Sequence, residues 1–367
     1  MTVTVPQEFL NALAAAGIGD GIEVEEFRNV FQLPMMGPIE LSVGMTIVEV
    51  SFQMRSGDDG RFRATVRATG DIRFHGDSPM PAFPGLARVA GDVLVRPVIE
   101  LRPDGSFVAV LDLPAGEVTD MRFEGVDGVA AADDAIAMMS QMLFAAVGED
   151  LYRGLAENLG HVGIELDAAA ARGVVELGIA AGPAEIRVSD GVTVVGFPAV
   201  DGHDGHAAPV PAHGRRVGVG LARGSLTPAV ARLAAATLGR ALPFHLEFDT
   251  EGRRIGGRVR STRLVDTPLI PDLRPGLRYS VTPRLRGEEI HVTLREAWLE
   301  LPLVPGMVNQ LNRWIGASLA SRASWSFTLP AVGELPVRPD SERSMRVAVV
   351  RLDVDDDGVA AIIDTDL

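Results

Sequence analysis

The sequence predicts an α+β protein of two similar, elongated units, each a long helix and a short one packed against a highly curved antiparallel sheet. Three observations predict it. Residues 185–197 (EIRVSDGVTVVGF) and 351–363 (RLDVDDDGVAAII) repeat one pattern, two alternating apolar runs joined at an Asp-Gly turn. Each copy closes a similar series: a short helical pattern, a block of long alternating strands, a longer helical pattern and further strands. The length of 367 residues also fits about two domains.

The units fall at residues 1–199 and 217–367, with a Gly/Pro/His-rich linker at 200–216. The first short helix covers residues 6–17, with Pro6 in its first turn, Gly17 as its C-terminal cap and Phe9, Leu10, Leu13 and Ala14 on one stripe. The clearest strand is 38–55. Ile39, Leu41, Val43, Met45 and Ile47 alternate with small or polar residues. The phase then slips by one, so that Val48, Val50, Phe52 and Met54 carry the alternation onward. A slip of one inside a long strand is the mark of a β-bulge, and long bulged strands belong to strongly curved sheets. Asp58-Asp59-Gly60 turns the chain into a hairpin partner with Phe62, Ala64, Val66 and Ala68 on one face. Further strands are expected at 86–95, 98–102, 107–113 and 118–126.

The longest helical pattern is 133–160. Ile136, Met139, Leu143, Val147, Leu151, Leu155 and Leu159 recur at three- or four-residue steps, and Met138, Met142, Phe144 and Tyr152 widen the apolar face. A helix this apolar is buried on most sides or faces something greasy. Strands follow over 162–197. The second half repeats the order, with a helix from Thr227, strands from 244 to 301, a helix over 305–320 carrying Leu311, Trp314 and Ile315, and closing strands to 363. Trp298, Trp314 and Trp325 are expected to anchor the second core.

Composition excludes whole classes of chemistry. The chain has no cysteine, hence no disulfide, thiol nucleophile or Cys-ligated zinc. It has no lysine either, which removes Schiff-base chemistry, a lysine-bound pyridoxal cofactor and a P-loop lysine. Arginine in place of lysine beside abundant Ala, Gly, Val and Asp suits a GC-rich bacterial gene. The net charge of −15 tells against nucleic acid as a partner. Arg253, Arg254, Arg258, Arg260 and Arg263 cluster locally and read as the solvated face of a strand. The N-terminus has no basic-then-apolar leader, and no apolar run reaches the ~20 residues that span a bilayer, so a cytoplasmic location is expected.

No catalytic residue, cofactor or metal site is assigned. Asp353, Asp355, Asp357 and Gly358, with Asp364 at the twelfth position, match the opening of an EF-hand loop. Both flanks alternate like strands, however, which favours a hairpin turn. Asp201, His203, Asp204, His206 and His213 lie in a Gly-rich stretch without the rigid scaffold a metal site needs, which favours a solvated linker. There is no Gly-x-Ser-x-Gly elbow, no His-Glu-x-x-His and no dinucleotide-type Gly loop.

Over nearly the whole chain the order of elements resembles the tubular lipid-binding (TULIP) superfamily, which includes the bactericidal/permeability-increasing and lipid-transfer proteins. Residues 3–13 (VTVPQEFLNAL) resemble the strand-then-helix opening of such domains, and 217–221 (VGVGL) followed by 233–242 resembles a second opening. The resemblance implies a hydrophobic tunnel holding acyl chains or a sterol, and hence non-catalytic binding and transfer of a lipid or other apolar molecule with transient membrane contact. The chain lacks the disulfide and secretion signal of the animal members, which tells against an extracellular role. Its own residues offer a lining: Met45, Val50, Phe52, Met54, Met138, Met139, Met142, Leu143, Leu311 and Ile315. For any one of the methionines, ordinary core filling is the plainer role. Binding would rest on desolvation, at ~0.8 kcal/mol per buried methylene. Two other functions fit: a scaffold subunit of a larger complex, its cavity filled by its own side chains, and a hydrolase whose reacting groups the spacing does not reveal. Protein partners stay open.

Overall fold

The computed structural model describes residues 1–33, 37–75, 86–126, 152–153, 156, 161–168, 171, 179–198, 207–227, 244–261, 265–267, 270–273, 276–300, 310, 313–318, 326–336 and 344–366. In chain order the elements are β1 (Thr2–Pro6), α1 (Gln7–Ile18), β2 (Ile22–Leu33), β3 (Gly37–Gln53), β4 (Phe62–His75), β5 (Ala87–Leu101), β6 (Phe107–Val126), β7 (His161–Leu166), β8 (Gly182–Pro183), β9 (Glu185–Ser189), β10 (Val192–Gly196) and β11 (Val217–Ala222). The second half adds β12 (Phe244–Glu251), β13 (Arg254–Ser261), β14 (Val265–Thr267), β15 (Ile270–Leu273), β16 (Gly276–Arg286), β17 (Glu289–Glu300), β18 (Ser326–Pro330), β19 (Val332–Pro336), β20 (Ser344–Val354) and β21 (Gly358–Asp366).

The structure corrects the expected α+β class, in which each unit is a long helix plus a short one against a sheet. The described residues are mostly β: strand accounts for 67% of them and helix for 12%. Among the described residues α1 is the one helix of seven residues or more. The physical reason lies in strand continuity. Residues 86–102, read as two strands, form the single β5 through Pro97, which sits beside a register shift between Leu94 and Arg96. Residues 107–126, also read as two strands, form the 20-residue β6 across Pro114 and Gly116. The long helix expected at 133–160 lies outside the described residues except at Tyr152, Arg153 and Ala156, which are helical. In the second half only single turns are described, at 223–227 and 313–318.

β2 to β7 form an antiparallel sheet in sequence order, with β8 against β5. β12-β13-β16-β17-β18 form another, and β14-β15 a small ribbon. Between the large sheets runs a seven-stranded sheet in the order β19-β20-β21-β11-β1-β10-β9. Its middle joins the halves: β1 and β11 pair antiparallel, Thr2 opposite Gly220 and Thr4 opposite Gly218. Each is flanked by a hairpin from its own half, β10–β9 beside β1 and β21–β20 beside β11. The repeated segments of the sequence are these two hairpins.

On one face of this sheet Thr2, Thr4, Gly218 and Gly220 are buried. The described part of the linker, 207–216, has no helix or strand, as expected, yet it is not solvated throughout. It lies across that face, with Ala212 buried and Thr2 Oγ1 donating to the Ala207 carbonyl at 2.8 Å. A Cβ at Gly218 would stand 2.5 Å from the Val210 carbonyl oxygen, so β11 must be glycine there for the chain to pass so close.

Equivalent bonds extend the pairing of β1 and β11 with their hairpins and tie the outer sheets to the central one. In the first half, Gln7 N donates to Gly191 O (2.9 Å) and Ser56 N to Asp190 Oδ1 (3.1 Å). In the second, Arg223 N donates to Asp357 O (2.8 Å) and Gly252 N to Asp356 Oδ1 (2.7 Å). Asp190 and Asp356 occupy matching places in the two repeated segments.

Candidate functional site

The candidate site is the apolar row of β3 and the helix that flanks it. α1 runs from its N-cap Pro6 to a C-cap at Gly19, whose φ of 57° needs glycine, rather than ending at Gly17. The helix lies along the end of β3 that β2 does not reach. β2 pairs with β3 only as far as Ile22 opposite Ile47, so the backbone beyond has a free edge. α1 satisfies it with side chains. Asn11 Oδ1 accepts from Phe52 N (2.6 Å) while Asn11 Nδ2 donates to Phe52 O (3.3 Å), and Gln7 Oε1 accepts from Met54 N (2.9 Å). Four residues of helix and two of strand advance by nearly the same distance, which is why one helical turn serves alternate strand residues.

The expected bulge is where the phase slip put it. Ile47 faces Ala68 and Glu49 faces Arg67, leaving Val48 as the extra residue, 45% exposed. Either side of it the apolar row is turned inward: Val43, Met45 and Ile47 before, Phe52 and Met54 after, all buried, with Val50 half-buried.

The candidate lining residues fall into separate groups. Phe52 and Met54 join Phe62, Ala64, Val93 and Val95 in a core cluster, against which Val50, Leu10, Ala14 and Tyr152 pack. Phe52 and Phe62 meet edge to face at 6.1 Å. These positions are consumed by packing. Met45 lies beyond α1, opposite Val24 of β2 and Gly70 of β4. Met138, Met139, Met142, Leu143 and Leu311 lie outside the described residues. Ile315 is 44% exposed and Trp314 70% exposed. The reason is Gly316: a Cβ there would overlap the Ala297 carbonyl, so the 313–318 turn sets its glycine on β17 and its Ile315 and Trp314 outward. Trp314 therefore does not anchor a core, Trp298 is half-buried, and Trp325 lies outside the described residues.

Two tyrosines flank this architecture, one in each half. Tyr152 donates to the Leu113 carbonyl at 2.9 Å, and burial, with Asp112 nearby, pushes its hydroxyl up to about 12. Tyr279 stands edge to face with Phe248 at 6.1 Å, and burial pushes it up to about 12 as well.

The acidic motif at 353–364 is a hairpin turn. β20 and β21 pair directly across it, Val354 opposite Val359, and Asp355 Oδ1 accepts from Asp357 N and Gly358 N at 3.0 Å each. Asp353 and Asp364 are engaged by Arg351 and Arg216. Among the described residues no cluster of His, Asp or Glu could hold a metal ion. Asp201, His203, Asp204 and His206 lie outside them, and His213 is exposed. A shallow cleft of about 430 Å³ opens at the β5–β6 turn and β8. Its Asp104 is held below the usual carboxylate range by bonds from the Ser106 hydroxyl and amide, a turn feature. No described helix is long and apolar enough to cross a membrane.

The sequence reading missed the edge bonds of Gln7 and Asn11. Polar residues at i and i+4 on an otherwise apolar helix were the signal.

No family model and no curated protein matches the chain. Among the solved structures that are similar, two match over its whole length. One is a lipopolysaccharide binding protein, 9% identical, with 100% of this chain and 98% of that chain covered and a TM-score of 0.31. The other is P47 from Clostridium botulinum A2, 8% identical, with 100% and 96% covered and a TM-score of 0.34. At these values neither structure assigns a family to the chain or a role to any residue.

Proposed function

We propose that the protein binds a lipid or other apolar ligand without catalysing a reaction, and carries it between membranes. The observation that supports this is an apolar row longer than its helix. α1 accounts for the Phe52–Met54 end of β3, whereas Val43, Met45 and Ile47 continue the row past the bulge on a sheet of long strands with repeated register shifts. The ligand would lie against that continuation, with Met45 as the adaptable contact and the methionines at 138, 139 and 142 as sequence candidates for the opposite wall. Transfer of acyl carbon from water to such a wall gives ~0.8 kcal/mol per methylene, enough without any polar contact.

The competing reading is a scaffold whose interior is filled by its own side chains, and the packed Phe52–Met54 cluster supports it at that end. Solvent extraction of the purified full-length chain followed by mass spectrometry separates the two. A bound apolar species near one per chain supports the ligand reading. Repeated preparations without one, together with no uptake of a fluorescent fatty acid, would leave the scaffold.

A further inference from the structure

We propose that the second half carries a binding site for the phosphoryl groups of a phosphorylated ligand, built by arginines from four separate segments. The site is a cleft of about 510 Å³ over β13, β16 and β17, lined by Arg253, Arg254, Arg284, Arg295 and Arg313 with Glu251 at its edge. It goes beyond the apolar-ligand reading and does not depend on it.

The fold brings these residues together by identifiable means. Arg253 and Arg254 come from the β12–β13 turn. Thr282 and Arg284 alternate on β16, so they share a face. Arg295 is the extra residue of a bulge: Val281 faces Leu294 and Ser280 faces Glu296, which leaves Arg295 unmatched, and its Nε donates to Thr282 Oγ1 at 3.4 Å. Arg313 arrives from the turn that Gly316 seats on β17, stacked 5.1 Å over the Trp298 ring.

Charge is what makes the cleft unusual. Glu296 is shared by two of its arginines, Arg254 and Arg313, each at 3.3 Å. Among the described residues no ion pair joins a carboxylate to Arg253, Arg284 or Arg295, in a chain whose net charge is −15. Elsewhere arginines stand against carboxylates of their own. Arg61 meets Glu117 (2.6 Å), Arg67 meets Glu49 (2.7 Å) and Arg122 meets Asp120 (2.8 Å). Like charges held close repel, and a cluster left uncompensated in an acidic protein calls for an external anion. Guanidinium forks bind phosphate oxygens in pairs, and several forks around one cleft match more than one phosphoryl group. Such groups belong either to a soluble phosphorylated molecule or to the headgroup of an anionic lipid; the latter would join this cleft to the apolar row.

The test uses the full chain, by calorimetric titration with inorganic pyrophosphate and by cosedimentation with phosphatidylcholine vesicles with or without phosphatidic acid. Wild type is compared with R284Q and R253Q, and with R102Q as a control, since Arg102 lies outside the cleft beside Glu100 at 3.1 Å. Wild type is expected to bind one or both probes, with affinity falling about tenfold or more in each cleft variant and unchanged in R102Q. Pyrophosphate binding identifies a soluble ligand; binding only to the acidic vesicles identifies a headgroup. Both cleft residues are at the surface, in different segments, so if one variant fails to melt cooperatively the other decides. No binding by wild type, equal binding by both cleft variants, or equal loss in R102Q overturns the site. Lipid extraction reads the apolar ligand separately, so either idea can fail alone.

Discussion

At the first junction an amide side chain, Asn11, accepts from and donates to the backbone of Phe52; at the second, the Thr227 hydroxyl accepts from Phe248 N (2.7 Å) and donates to Phe248 O (3.1 Å). Beside them, Gln7 bonds the Met54 amide, whereas Arg223, at the matching place, turns to the Asp249 carboxylate. The turn aspartates, Asp190 and Asp356, do the same work in both. What is retained between the halves is a set of backbone groups that must be satisfied at a sheet edge, and any side chain with a donor and an acceptor at the right height will serve. That is why the repeat is visible as a pattern and faint as identity.

The comparison can be broken at its strongest asymmetry. Gly358 has a φ of +152°, and a Cβ there would overlap the Leu221 carbonyl; Val192, which holds the matching place in the first hairpin, carries a side chain. Gly358→Ala is expected to cost about 3 kcal/mol or more in urea unfolding, and Val192→Ala about 1 kcal/mol. Equal effects would show that this asymmetry between the hairpins carries no weight in their packing.

Asn11→Ala strips both bonds from Phe52 at a part-buried edge and is expected to cost about 1–3 kcal/mol. Thr227→Val does the same to Phe248, with an expected cost of about 1–2 kcal/mol. Chemical denaturation of both variants compares the junctions directly, and an Asn11 variant as stable as wild type would remove α1 from the account of how β3 is held.

The tyrosines, one in each half, give a pH signature. Both hydroxyls stand near 12 in the folded chain against 10 unfolded, so folding favours the neutral form. Stability from this source is complete below pH 10 and declines as pH rises from about 10 through about 12. Ultraviolet titration should show no phenolate until well above pH 10, and in denaturant the transition should return to about 10; these are the chain's only two tyrosines, so the signal is unambiguous.

The smallest effect belongs to the exposed Arg223–Asp249 pair. Arg223→Gln is expected to shift the melting temperature barely at low salt and not at all at high salt, because surface pairs are screened. Gln7→Ala, which removes a bond between neutral groups, should show no such salt dependence.

Much of the strand architecture was legible because it follows short-range rules. The bulge at Val48 is a phase slip in the apolar row, and both hairpins are Asp-Gly turns between alternating runs. Legibility failed where a neighbour decides. Pro97 and Pro114 look like strand breakers, yet β5 and β6 run through them within the sheet. Gly17 reads as the helix cap, and only the backbone shows that Gly19 takes that place. Ile315 was placed inward from its period alone, whereas a glycine one residue later fixes which side meets β17. The arginine cleft could not be read at all beyond Arg253 and Arg254, since Arg284, Arg295 and Arg313 join them only through pairing and a bulge.

The antiparallel meeting of β1 with β11 has a consequence for ancestry and for engineering. Two equivalent strands aligned head to tail about a common midpoint form the contact that identical subunits make across a twofold axis. The molecule is in this sense a dimer fused into one polypeptide. Either portion produced alone would present that unpaired border to a second copy of itself, and self-association should be its first behaviour in solution.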